Sequence, residues 1–371
     1  MTQLTHPEVR RLLVGHHGLA RDLHPPGAAG VRALLARRRA IQLDPLDVIG
    51  TNADLVALAR LEGVQAGDVY THILPGHGFE HFAKERCLLP ADVFPRYRDH
   101  AREVPWWRHN ERMRRLDPGL VDDVLAEVAD RGPLTAAELS DRGRVRPTDW
   151  SGWKGTSKAG TLALAVLWTQ CRLVVCQRTP GGKRYDLPAR ALPTVHDAPA
   201  SADPNASFAL DLAQAAGMLP EAGGPWWGPL HTHRKALTTQ LVASGALTRV
   251  TVEGTRRTWL VPPAVLAAAQ PDPDDRLRIL GPLDPLLWDR ALIALAFGFR
   301  YVWEVYKPAA SREWGYYVCP LLHRRALVGR IEARRTPDGV VVDRLWEETP
   351  GAVDRDALAA AVARHSEALS D

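Results

Sequence analysis

The sequence predicts an α+β fold made of helix-and-hairpin units repeated along one chain. Three observations predict it. Residues 120–193 and 206–265 pass through the same order of helices followed by a glycine-turned hairpin. Polar, proline-containing segments at 196–205 and 267–276 set these stretches apart. Beyond residue 276 the chain is β-rich and closes on a helical stretch at 351–371.

In the first repeat, LVDDVLAEVADRG has apolar residues at helical spacing and stops at Gly132. Thr135 is placed to N-cap TAAELSDRG, with Glu138 at capping-box distance. SKAGTLALAVLWTQCR reads as a long apolar-faced helix, and LVVCQRTPGGKRYDLP as two strands around Pro180-Gly181-Gly182. The second repeat gives ASFALDLAQAAGML and HTHRKALTTQLVASG as helices. ALTRVTVEGTRRTWLVPP follows as a hairpin turning at Glu253-Gly254. Both returning strands carry basic residues and an aromatic: Lys183, Arg184 and Tyr185 in one, Arg256, Arg257 and Trp259 in the other. Helices followed by such a ribbon define a winged helix, whose second helix can enter the major groove while the wing rests on phosphates. Two in one chain predict an extended DNA surface in a monomer. The expected divisions are a mostly helical 1–118, winged helices at 119–195 and 204–268, and a C-terminal region at 276–371. In that last region YVWEVYKP and EWGYYVCP predict a hairpin over 301–318. ALVGRIEARRTPDGVVVDRLWEE predicts a second, turning at Pro337-Asp338-Gly339.

Bulk properties set limits. A net charge of +4 is too mild to demand a nucleic-acid partner, so any basic stripe must come from placement. Cys87, Cys171, Cys176 and Cys319 form no CxxC pair, which argues against a zinc knuckle or disulfide framework and for reduced, half-buried thiols. MTQLTHPEVRRLL lacks the apolar stretch of a signal peptide, and no apolar run approaches the ~20 residues of a membrane span. A soluble cytoplasmic protein with no membrane association is expected. His72, His77 and His81 have spacings that suit no metal site, so no metal and no cofactor are predicted. Leu74-Pro75-Gly76-His77-Gly78 resembles a helix-hairpin-helix turn but reads better as a helix start. Trp106-Trp107 and Trp226-Trp227 read first as core indoles and second as base-stacking groups. Arg108, Arg112, Arg114 and Arg115 suit phosphate contact or a solvated helix face equally.

One short segment could carry chemistry. In Ala40-Ile41-Gln42-Leu43-Asp44-Pro45, the proline biases Asp44 towards an extended conformation. Side chains then alternate: Ile41 and Leu43 face the core, while Gln42 and Asp44 project together on the other side, where they could hold a water. By itself an Asp-Pro is more often a turn.

IQLDPLDVI resembles the Gln-x-Asp catalytic segment of the YcaQ/AlkZ family of bacterial DNA glycosylases, whose AlkZ branch carries Gln-x-Gln. GFEHFAKERCLLP, GPLTAAEL, YDLPARALP, ILGPLDPLLWDR and FGFRYVWEVYKP followed by EWGYYVCPLL and LVGRIE are similar to further family stretches, in the family's order. The chain departs after the catalytic segment, with Gly50-Thr51-Asn52-Ala53-Asp54 in place of an Arg…His pattern. The resemblance implies three winged helices arranged in a C shape around duplex DNA, one of them within 1–118. It also implies a β-hairpin in the cleft, for which 301–318 is the choice here. Gln42 and Asp44 would then be catalytic. The expected substrate is double-stranded DNA with alkylated purines, extending to interstrand crosslinks and antibiotic self-resistance.

Alkylation at N7 or N3 makes a purine a cationic leaving group, so no general acid is needed. The sugar develops oxocarbenium character, which a carboxylate stabilises. The same carboxylate can take a proton from water. No lysine sits beside the pair, so a Schiff-base lyase step is not expected. The expected DNA contacts are Arg37, Arg38, Arg39, Lys183, Arg184, Arg256, Arg257, Lys307, Arg312 and Trp314. A winged-helix transcription regulator without enzymatic activity fits the composition and repeats nearly as well. A DNA-binding protein that has lost its activity is a third possibility, against which the intact Gln42 and Asp44 count.

Overall fold

The computed structural model describes residues 2–22, 25–103, 108–146, 155–199 and 201–370. The fold is mixed α and β, and the chain packs as two compact units. One unit comprises Met1–Val69, Ala83–Cys87 and Ala209–Asp371; the other comprises Tyr70–Phe82 and Leu88–Phe208. Among the described residues no helix is long and apolar enough to cross a membrane.

In the smaller unit, helix Leu120–Arg131 leads to strand Leu134–Thr135, helix Ala159–Thr169 and the hairpin Val174–Thr179 with Gly182–Asp186. The short strand pairs with the returning one, Leu134 opposite Tyr185 and Thr135 opposite Arg184. Val124, Val128, Ala163, Val166 and Leu167 form the core between the helices. The helix expected over TAAELSDRG does not form. Its capping-box bonds are made, with Thr135 N donating to Glu138 Oε2 at 2.7 Å and Glu138 N to Thr135 Oγ1 at 3.3 Å. After that one turn Glu127 accepts from both Ser140 N and Ser140 Oγ, which ties the chain down before a second turn can start.

The larger unit repeats this order. Helix Pro204–Ala216, which runs into it, is followed by strand Leu219–Pro220, helix Arg234–Ala243 and the hairpin Thr248–Val252 with Thr258–Val261. Again the short first strand pairs with the returning one, Leu219 opposite Leu260. The hairpin turns where expected, with Gly254 at φ +80°. Strand Thr2–Leu4 adds a parallel edge, Thr2 opposite Val250. It is locked by Glu253 N donating to Leu4 O and His6 N donating to Glu253 Oε1.

The same order occurs a third time near the N-terminus: helix Gly27–Arg38, strand Ile41–Gln42, helices Asn52–Leu58 and Asp68–Ile73, then strands Gly78–Phe82 and Arg86–Pro90. The short first strand again lies beside the last, with Leu43 N donating to Arg86 O at 2.8 Å.

The C-terminal region is an antiparallel sheet of Leu277–Ile279, Val318–His323, Ala326–Thr336 and Gly339–Glu347, in that order. The Pro337-Asp338-Gly339 turn forms as read, and helix Arg355–Ala368 closes on the sheet through Leu358 and Ala361. The hairpin expected over 301–318 does not form. Its first half has no strand, Ala309–Ser311 is a 3₁₀ turn, and extended structure begins only at Val318. The cause is Glu304, 2% exposed. Its carboxylate accepts from Lys307 Nζ at 2.7 Å, Glu313 N at 3.1 Å and Trp314 N at 2.7 Å. Backbone donors needed for a ladder are thus held by a side chain. Burial alone would raise the Glu304 pKa, but these donors hold it down at about 2.

Candidate functional site

Ile41–Gln42 is a two-residue strand in which Ile41 and Leu43 are buried as expected. Gln42 is buried too, at 7% exposure, and Asp44 is half-buried. Asp44 Oδ1 accepts from Leu46 N at 2.9 Å, the Asx-type turn that an Asp-Pro favours. Burial raises the Asp44 carboxyl above its ordinary range, and the Leu46 N–H opposes that only in part.

The departure at Gly50–Asp54 has a structural use. Thr51 and Asp54 make a capping box at the start of helix Asn52–Leu58. Asp54 also accepts from Gly67 N at 2.9 Å. Asn52, 1% exposed, turns inward, and its Nδ2 donates to the Gln42 backbone carbonyl at 2.8 Å. The strand is therefore held from behind. Gly281 leaves room for this amide: a Cβ there would sit 2.6 Å from Asn52 Oδ1 and 3.2 Å from Leu55 Cβ. Gly281→Ala is expected to lower stability by about 1–3 kcal/mol through overpacking. It should also slow any reaction that depends on Gln42. Denaturant melts and single-turnover rates check this, and an unchanged melt would show that Asn52 gives way freely.

Contrary to the sequence reading, a lysine does reach the segment. Lys84 Nζ donates to Gln42 Oε1 at 3.3 Å and lies 5.3 Å from the centroid of the Trp288 ring. Burial lowers the Lys84 pKa. Trp288 is fixed by its Nε1 donating to Leu283 O at 2.8 Å and by an edge contact with Trp226, centroids 4.8 Å apart. Lys84, Trp226, Arg257, Trp288, Asp289 and Arg290 line a cavity of about 340 Å³. Asp284, in the same loop, is wholly buried and makes a two-pronged ion pair with Arg60 at 2.7 and 2.9 Å. Burial, with a smaller contribution from the nearby Asp44 charge, disfavours ionisation of Tyr306, 84% exposed, and of Tyr317. IQLDP, AKER, GPLDPLLW and the 301–317 loop thus converge, although they are far apart in sequence.

The expected DNA contacts fare unevenly. Arg37 is exposed at the end of its helix, whereas Arg38 is 0% exposed and donates to His17 Nδ1 at 3.0 Å, so it faces the core and no surface. Arg39 caps that helix at φ 59° and pairs with Asp211. Arg256 and Arg257 are exposed, but they sit in the turn before the returning strand and not on it. In the smaller unit, Lys183 lies 3.9 Å from buried Glu80 and Arg184 bonds Glu138, so both serve their own unit. Lys307 is taken up by Glu304. Arg312 lies over Tyr316, and Trp314 packs on Arg330 and Trp346. Trp226 and Trp227 are core indoles; Trp106 and Trp107 fall outside the described residues. All four cysteines are free and fully buried, not half-buried.

Gln42, at the end of its two-residue strand, is bonded by both Asn52 and Lys84, and Asp44 follows two residues later outside the strand. The family model for AlkZ-like DNA glycosylases matches residues 35–368, and the chain belongs to that family. It is accordingly a DNA glycosylase with DNA as its substrate. Its fold is similar to that of the DNA glycosylase AlkZ of Streptomyces sahachiroi, with a TM-score of 0.61 at 20% identity. That match covers 100% of this chain and 98% of the other.

Proposed function

We propose that this glycosylase is monofunctional and hydrolyses the N-glycosidic bond of N7- or N3-alkylated purines, with Asp44 as base and charge stabiliser and Gln42 orienting the water. The observation that carries the reading is the Gln42–Asp44 segment itself, held at its backbone by Asn52 and at its side chain by Lys84. The alkylated base leaves without protonation, because its positive charge is discharged as the bond breaks. Asp44 offsets the charge that appears on the sugar and accepts the proton of the attacking water. Larger adducts and crosslinked purines share the same cationic leaving group, so the proposal extends to unhooking them.

We further propose that the three helix-and-hairpin runs are winged helices that grip the duplex. The recurrence of one pairing, short first strand against last strand, supports it. The duplex would be held chiefly through phosphates, by exposed cations such as Arg37, Arg256 and Arg257. Affinity should then fall steeply with salt, with a log–log slope of about −0.9 per phosphate neutralised, and depend little on sequence. Equal affinity at low and physiological salt would contradict this. The function itself is tested by incubating the protein with a duplex that carries a single N7-methylguanine, then cleaving abasic sites with alkali. Strand scission at the lesion alone is expected; intact strands at saturating protein would refute the reading.

A further inference from the structure

We propose that Lys84 is a positioning residue that fixes the Gln42 side-chain amide with its NH2 end towards the reacting water, an inference that rests on the mechanism proposed above. A glutamine amide can sit in either of two orientations, one offering an acceptor and the other a donor. The Lys84 ammonium, 3.3 Å from Gln42 Oε1, supplies donors and no acceptor. It therefore selects the orientation with Oε1 turned to lysine and NH2 turned away. Asn52 anchors the same residue through its backbone carbonyl, and Gln42 is 7% exposed, so little freedom remains. Lys84 is itself seated on Trp288, which is held by Leu283 O and Trp226. The charged ammonium has no acceptor, so it is this form that enforces the orientation.

A division of labour follows. With its oxygen occupied, Gln42 donates to the water oxygen and does not accept a hydrogen bond from the water. That proton goes to Asp44 alone. Without Lys84 the amide can turn over and present its oxygen, accepting a hydrogen bond from the water and turning it away from Asp44.

The test is single-turnover excision of N7-methylguanine from duplex DNA, with DNA affinity and melting temperature measured alongside. Lys84→Met should slow excision by about 10-fold, the effect of one lost charge-assisted hydrogen bond, at near-normal affinity. Lys84→Arg, which keeps a donor, should restore most of the rate. In a Gln42→Ala background Lys84→Met should cost nothing further, because there is no amide left to orient. An unchanged rate in Lys84→Met would overturn the proposal. So would an equal loss in the Gln42→Ala background, which would mark an independent role. A borohydride-stable adduct of the wild-type protein with abasic DNA, mapped to Lys84, would overturn it without recourse to any variant, since the lysine would then be a nucleophile. Asp44→Asn is run in parallel. Full activity there would refute the underlying mechanism, a result distinct from failure of the Lys84 variants.

Discussion

Asp44→Asn is expected to lower single-turnover excision of N7-methylguanine by about 10²–10³-fold while leaving DNA affinity near normal. The substitution keeps size and shape and can preserve the turn at Leu46. It deletes the negative charge opposite the developing sugar cation and the acceptor for the water's proton. One effect runs the other way: removing a negative charge near phosphates should tighten binding slightly, so a lower rate cannot be blamed on lost affinity. Gln42→Ala should be milder, because water can still enter. The pH profile supplies a second check. Burial raises the Asp44 pKa, and the reaction needs the ionised form. The rate should therefore fall as pH drops through a pKa above the ordinary carboxylate range, and that acid limb should vanish in Asp44→Asn. Full activity of the variant under saturating enzyme would refute the mechanism.

Asp284→Ala is expected to destabilise the larger unit by about 3–5 kcal/mol, the largest loss of stability foreseen here. Asp284 and Arg60 are 0% and 1% exposed, and the carboxylate meets both terminal nitrogens of the guanidinium. Arg60 is also bound to His17 O at 2.7 Å and Val56 O at 2.9 Å, so it cannot swing out to water when its partner goes. A buried charge would be left uncompensated. Asp284 Oδ1 also accepts from Leu286 N, so the loop carrying Trp288 would loosen as well. The double variant Arg60→Met/Asp284→Leu should recover much of the loss, since removing both charges removes the desolvation cost. Denaturant melts of the three proteins decide it. A small loss in Asp284→Ala would mean that water reaches Arg60.

Local signals are legible in the sequence, and long-range ones are not. The Glu253-Gly254 and Pro337-Asp338-Gly339 turns are set by residues adjacent in the chain, and both formed. The first helix-and-hairpin run escaped notice because its opening strand has two residues and its second and third helices seven and six, too short for periodicity to show. The hairpin over 301–318 does not form because a single buried glutamate outcompetes a ladder, which no alternation pattern reveals. Arg38 reads as a DNA contact within an arginine run, but its partner His17 lies 21 residues back. Gln42 and Asp44 stood out through family resemblance, not through chemistry legible in the segment alone. Lys84 lies within a family-like stretch 42 residues from Gln42, and the pairing of the strand at 41–42 with that at 86–90 brings the two together.

The parallel pairing of Thr2–Leu4 with Thr248–Val252 also bears on how the protein is made. Thr2–Leu4 is synthesised well before its partner strand, Thr2 facing Val250. At ~5–20 residues per second, roughly ten seconds to a minute of synthesis passes before that partner exists. Throughout that interval the amphipathic helix His6–His16, whose Val9, Leu12 and Leu13 pack in the core with Val250 and Trp259, has its apolar face without the surface it will cover. The nascent chain therefore carries this unfinished edge until Thr248–Val252 has been made, and the larger unit cannot close before then.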